Sequence, residues 1–230
     1  MIEQLLTNLK YDSPTPPPGV EFLGEVGVAG LINGLDLASV VGLTAGRAQH
    51  SNEPWLHFIL DGVELYVAKK PYRYDLSWEQ IDAVGAVFGT KTVVINELEY
   101  KVRLLRSVAS GDVYTGNSST GVYDPVEAYG SEWNRLMYSV HSGNHTGSRN
   151  PSPVSGEGLQ FGTLAQYTDT DLVVHTSAGN GNRNWCQETP SAATGSRVLR
   201  GGDGVSRLSW ATIWNAHSLH GWRPVLELVS

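Results

Sequence analysis

The C-terminal stretch RVLRGGDGVSRLSWATIWNAHSLHGWRPVLEL, Arg197 to Leu228, constrains the fold more than any other part of this chain. It reads as a strand, a double-glycine turn, a tryptophan-bearing segment, a glycine turn and a terminal strand. Its apolar end stops two residues short of the last residue, Ser230. Chain ends fray unless they are tied down, so the closing VLEL predicts a strand docked in a sheet. Three of the seven tryptophans lie in this stretch, which marks it as core, as a binding surface, or as both.

Two hairpins are legible upstream. WLHFIL, Asp61-Gly62 and VELYVAKKP predict strands joined by a tight two-residue turn, with Pro71 closing the second strand. TVVIN and YKVRLLR, joined by ELE, predict a second hairpin with Val102 and Leu104 alternating against Lys101 and Arg103. Between the hairpins, Ser77 with Gln80 is a capping-box signature, so a helix is expected from about Trp78 to Val87, ended by Gly89. Ser131 opens a second helix, SEWNRLMYSV, with Trp133, Leu136, Met137 and Val140 on one face. TDLVVHTS reads as a short strand. Residues 107–130, 141–163 and 178–196 read as polar loops, the last one around Trp185 and Cys186. The fold class expected is α+β, helices packed on antiparallel hairpins with long loops. Loops of that length in a compact domain point to function or disorder, and their Tyr and Trp content favours recognition.

The first 48 residues differ in character. Ile2, Leu5, Leu6 and Leu9 share one face of a short helix that needs a partner to be stable. The proline-rich YDSPTPPPG follows as a stiff spacer. Residues 20–48 are glycine-rich, apolar and poor in charge, which predicts short strands and turns or a surface packed on another subunit. Two units are therefore expected: 1–48, an N-terminal attachment segment in which Ile2, Leu5, Leu6 and Leu9 make the contact, and 49–230, the α+β domain.

Composition excludes several classes. Net charge is −7 with no Lys/Arg block, so a nucleic-acid partner is disfavoured. No stretch approaches the length of a membrane span, and no basic start with an apolar core marks a secretory leader, so no membrane insertion is expected. The single cysteine, Cys186, forbids an intrachain disulfide or a cysteine-rich zinc site and is expected to be a buried thiol. His217-x-x-His220 has no acidic residue between its histidines and no third ligand in sight, so packed or exposed histidines are the better reading. Asp169, Asp171, Asn180, Asn182 and Asn184 offer oxygens suited to calcium, but turn chemistry accounts for them as well. No G-x-S-x-G elbow appears and no G-x-G-x-x-G follows a strand. No catalytic residue, metal or cofactor is assigned.

Three blocks taken together resemble known proteins: WLHFILDGVELYVAKKPYRYDLSWEQIDAVGAVFGTKTVVINELEYKVRLL; GSEWNRLMYSV; and WCQET followed by RVLRGG and GWRPVLEL. They resemble structural proteins of tailed-bacteriophage virions, over about residues 39–228. The last block is similar to the end of C-type-lectin-like domains of the kind shared by formylglycine-generating and sulfatase-modifying proteins and by phage receptor-binding tips. The resemblance implies a C-type-lectin-like domain behind an N-terminal anchor, in a virion component made in the host cytoplasm. It implies a homo-oligomer that contacts other virion proteins through its N-terminal segment and, through its loops, a host surface glycan or protein or a neighbouring subunit; an enzyme on a sulfatase-modifying, lectin-like scaffold and a purely structural capsid-fibre protein with no receptor role are the alternatives. A formylglycine-generating activity would need a cysteine pair, and Cys186 is alone, so a non-enzymatic role is expected. The contact residues are sought at Trp185 and between Asp203 and His220: Asp203, Arg207, Trp210, Trp214, Asn215, His217 and His220.

Overall fold

The computed structural model describes residues 19–114, 122–123, 130–142 and 166–229. The expected attachment residues Ile2, Leu5, Leu6 and Leu9 and most of the two longest expected loops lie outside them. The described chain is α+β and mostly β. One sheet has six strands, in the spatial order Val20–Val26, Trp55–Leu60, Val63–Ala68, Val225–Leu228, Leu98–Arg103 and Phe88–Ile95. The second has seven, in the order Arg47–Ala48, Arg73–Leu76, His217–Trp222, Arg183–Trp185, Ser196–Gly201, Arg207–Thr212 and Val122–Tyr123. Neighbours in both sheets run antiparallel except Arg183–Trp185 and His217–Trp222, which are parallel. Thr189–Pro190 and Val113–Tyr114 form a small parallel pair of their own.

The closing strand Val225–Leu228 lies between Val63–Ala68 and Leu98–Arg103, in the middle of the first sheet. Val225 and Leu226 point to opposite faces and both are fully buried, each in a different apolar cluster. The strand is thus covered on both sides at its start, which explains the consecutive apolar residues Val225 and Leu226. The helix Glu132–Val140 supplies one cover through Trp133, Leu136, Met137 and Val140. The helices Gly34–Val41 and Trp78–Asp82 supply the other through Leu37, Val41, Trp78 and Ile81. Buried indoles are tied to the backbone: Trp55, Trp78, Trp133 and Trp185 donate to the carbonyls of Ile32, Cys186, Val205 and Leu76 at 2.8–3.0 Å.

Local signals hold where they are strongest. The first hairpin turns at Asp61-Gly62, with φ of 50° and 85°. Ser77 and Gln80 form the reciprocal capping box, and Ser131 caps the second expected helix by accepting from the Asn134 amide. Cys186 is fully buried.

Five expectations need correction. The Trp78 helix stops at Asp82 rather than Val87. Gly85 takes φ +73°, its amide bonds the Asp82 carbonyl and the Ala86 amide bonds the Ile81 carbonyl, which is a Schellman stop. The second hairpin turns at Asn96-Glu97, with Ile95 opposite Leu98, so Asn96 leaves the expected strand TVVIN and only the first residue of ELE is turn, the other two being strand. TDLVVHTS is no strand: Val173 has φ 52°, and the Leu172, Val173 and Val174 amides bond back to Thr168, Thr170 and Asp169 in a coiled turn. Residues 178–196 do not form one polar loop, because Arg183–Trp185 enters the second sheet. Finally, residue 48 is no structural boundary. Val20–Val26 pairs along Trp55–Leu60, and Leu37, Ala38 and Val41 share a core with Trp55 and Tyr72. Among the described residues, the stretch 19–48 therefore belongs to the body of the domain.

No helix of the described residues is long and apolar enough to cross a membrane.

Candidate functional site

The second sheet carries an open cleft of about 480 Å³ lined by Arg183, Ser196, Trp210, Ala211, Thr212, Asn215, His217 and His220. Four positions singled out from sequence meet in it: Trp210, Asn215, His217 and His220. They come together because Arg207–Thr212 and His217–Trp222 are joined by a tight turn, in which the Asn215 amide bonds the Thr212 carbonyl. Trp214 stands in that turn, between two residues that line the cleft, and is 65% exposed. A bare indole of that size is an unusual surface group and a ready stacking face.

The two histidines have defined roles. His220 Nδ1 lies 2.9 Å from the Asn215 carbonyl. A carbonyl only accepts, so Nδ1 carries the proton. Burial, the largest influence, pushes the His220 pKa down to about 4, so the ring is neutral at pH 7 and its Nε2 is an acceptor. His217 is the reverse: its Nδ1 accepts from the Leu219 amide at 3.1 Å, which leaves the proton on Nε2. The ring centroids are 5.4 Å apart. Trp185 lies beneath, with its ring 4.8 Å from His220 in an edge contact. The cleft thus offers a guanidinium, an imidazole donor, an imidazole acceptor, an amide, two hydroxyls and indole surface. Arrangements of this kind bind polar ligands.

Three of the sequence candidates fall elsewhere. Trp185 is 1% exposed, its indole N–H is consumed by Leu76, and it does not line the cleft. Asp203 and Arg207 face each other at 3.6 Å across the glycine turn and do not line the cleft. Arg183 was not singled out from sequence. It sits in a three-residue strand, too short to show a period, within a stretch that reads as loop. Among the described residues, no group of three His, Cys, Asp or Glu is placed to hold a metal ion. Asp169 instead accepts from the Val205 amide at 2.8 Å and pairs with His141 at 3.0 Å, and Asp171 accepts from Thr168, which accounts for these carboxylates as turn and capping groups.

A second perturbed group lies outside the cleft. Glu188 is 1% exposed; one oxygen accepts from the Ser107 amide at 2.9 Å and the other has no hydrogen-bond partner among the described residues. Burial, the dominant cause, pushes its pKa up from 4.5 to about 7. The native state therefore keeps a proton that the unfolded chain loses, and stability falls as pH rises from 4.5 to about 7. His220 works in the opposite sense: its pKa falls from 6.5 to about 4, so the unfolded chain takes up a proton that the native state refuses, and stability falls as pH drops through that window. From about 4.5 to 6.5 the two effects cancel, since each state then holds one proton of the pair. Glu188→Gln removes the first effect. Its melting temperature is expected to climb between pH 4.5 and 6.5, relative to a wild-type profile measured alongside it. Parallel profiles would show that Glu188 does not titrate as described.

In comparisons with known proteins, no family model, no curated protein and no solved structure matches the chain.

Proposed function

We propose that this protein is a non-enzymatic structural component of a tailed-phage virion, a fibre, tip or decoration protein, whose C-terminal cleft binds a ligand on the host surface. The observation that carries the binding half of this reading is the convergence of Trp210, Asn215, His217 and His220 in one open cleft beside the 65% exposed Trp214. Such a combination of stacking surface and mixed donors and acceptors suits a sugar, whose faces are apolar and whose rim is polar. The virion half rests on the resemblance of the Trp55–Leu105, Gly130–Val140 and Trp185–Leu228 blocks to phage structural proteins. That resemblance also supports a C-type-lectin-like arrangement, with the Arg197–Leu228 segment closing the domain. On this reading residues 1–18 attach a homo-oligomer to neighbouring virion proteins, and the body from residue 19 projects outward.

Two experiments test the halves separately. A glycan array probed with the full chain is expected to show binding that falls for Trp214→Ala, since stacking on an exposed ring is worth roughly 1 kcal/mol or more. Binding that ignores Trp214, or no binding at high protein concentration, would remove the cleft from the reading. Electron microscopy of particles with and without the protein is expected to reveal missing density. Particles of identical appearance would sink the virion assignment.

A further inference from the structure

Charge is distributed unevenly over this molecule. The chain carries 23 Asp and Glu against 16 Lys and Arg, yet among the described residues no carboxylate lines the cleft, and Arg183 does. Nearly every other arginine of the second sheet and its surroundings is engaged. Arg73 donates to the carbonyls of Thr44, Ala45 and Gly46; Arg200 donates to Asn134 and Tyr138; Arg223 is saturated by carbonyls. The guanidinium of Arg183 has no hydrogen-bond or ion-pair partner among the described residues. It is held in place nonetheless. Its backbone pairs with Gly201 on one side and His220 on the other, and its stem lies along Gly202, where a Cβ would sit 2.9 Å from Arg183 Cγ. The site is therefore a positioned, unneutralised fork of donors in a concave wall, inside a protein of net charge −7.

We propose that the cleft takes an acidic sugar, with the anionic substituent held by Arg183. This rests on the reading of the cleft as a binding site. A planar guanidinium matches a carboxylate or a phosphate ester in a bidentate pair. The remaining lining fits the rest of a sugar: the Ser196 and Thr212 hydroxyls and the Asn215 amide for ring hydroxyls, His217 Nε2–H as a donor, His220 Nε2 as an acceptor, and indole for an apolar ring face. A polynucleotide is the poorer fit, because one cation with no lysine beside it does not track a phosphate backbone. An acidic protein segment shares the anion but has no use for so many small hydroxyl and amide groups.

The test uses the purified full chain on an array with three sugar arms, neutral, uronate-bearing and phosphate-ester-bearing oligosaccharides, beside an acidic peptide. Wild type and Arg183→Met are compared, and the best ligand is then titrated by calorimetry at low and high salt. Methionine keeps the stem against Gly202 and removes only the fork, and a melting curve verifies that the variant is folded. The wild type is expected to prefer one acidic arm, and which arm identifies the anion. Arg183→Met is expected to bind that ligand roughly tenfold or more weakly, the value of one charge-assisted pair, and wild-type affinity is expected to fall with added salt. Equal binding by both proteins, or a preference for neutral sugars, would overturn the role of Arg183 while leaving a sugar-binding cleft. Binding of an acidic peptide with no response to any sugar would overturn the sugar assignment. Silence in every arm would remove the binding cleft itself, together with this inference.

Discussion

Replacing Arg223 with alanine is expected to destabilise the domain by about 3–5 kcal/mol, the scale on which a buried, fully bonded charge is missed when truncated. Arg223 lies where the chain leaves the second sheet at Trp222 and enters the first at Val225. It is 1% exposed. Its guanidinium donates to Ala68 O at 2.8 Å and Asn184 Oδ1 at 3.1 Å, and to the carbonyls of Lys69 and Leu172. One side chain thus ties the end of a first-sheet strand, the 168–174 turn and a second-sheet strand to a single point. Two effects oppose each other on truncation. No carboxylate compensates the charge in these hydrogen bonds, and burial pushes its pKa down to about 9, so removing the charge relieves a desolvation cost. At pH 7 the group is still protonated, however, and its loss strands four acceptors, three of them in buried bonds at roughly 1–3 kcal/mol each, and opens a cavity besides. The second effect is the larger. Arg223→Met fills the space without supplying donors, so it is expected to recover only part of the loss. Arg223→Lys supplies one point charge where a fork spans four acceptors, and is expected to fall between. Urea titrations of the three variants check the order. A methionine variant as stable as wild type would show that the carbonyls find other partners.

The same arginine shows what sequence reading reaches. GWRPVLEL is legible as a strand because its signals are local: a glycine turn, a proline and the apolar residues Val225, Leu226 and Leu228. The Asp61-Gly62 hairpin, the Ser77/Gln80 cap and the Trp133–Val140 face are legible for the same reason, since each depends on residues within one or two turns of one another. What is not legible depends on distant partners. Nothing near Arg223 in sequence announces Leu172 or Ala68. Val20–Val26 reads as part of a glycine-rich attachment segment, and only its register along Trp55–Leu60 makes it an edge strand. Trp185 and Arg183 stand on a strand of three residues whose two neighbours, Ser196–Gly201 and His217–Trp222, both come from later in the chain. The cleft was half visible. Trp210, Asn215, His217 and His220 are close in sequence and meet across one turn, whereas Arg183 joins them from a segment that composition alone marks as loop.

Arg103 is the case where alternation misleads. In LEYKVR it occupies the polar phase of the strand, which predicts exposure, yet its side chain is only 9% exposed. It donates to both Glu132 oxygens, at 2.6 and 2.8 Å, and to Glu227 Oε2 at 2.7 Å. Glu132 also accepts from the Arg106 amide at 2.9 Å and stands in the first turn of the helix Glu132–Val140, where negative charge favours the helix. The pair therefore pins that helix to the closing strand. Arg103→Met is expected to destabilise by about 3–5 kcal/mol, because it leaves Glu132 buried and unpaired. Adding Glu132→Gln to that variant removes the stranded charge, and is expected to return a coupling of about 1–3 kcal/mol relative to the sum of the single changes. The pH dependence gives an independent reading. Burial alone would raise the Glu227 carboxyl, but Arg103 and Lys101 overcome it and hold the pKa below 4.5. A depressed carboxylate contributes stability that is present above its unfolded value and is lost as pH falls through the folded one. Arg103→Met gives up the arginine's share of that contribution in advance. The gap between variant and wild type is therefore widest at pH 7 and is expected to narrow on acidification below pH 4.5. Denaturant titrations of both proteins at pH 7 and at pH 4 measure it. A gap of constant size would mean that Arg103 acts through packing and its bond to the Leu104 carbonyl rather than through its two carboxylates.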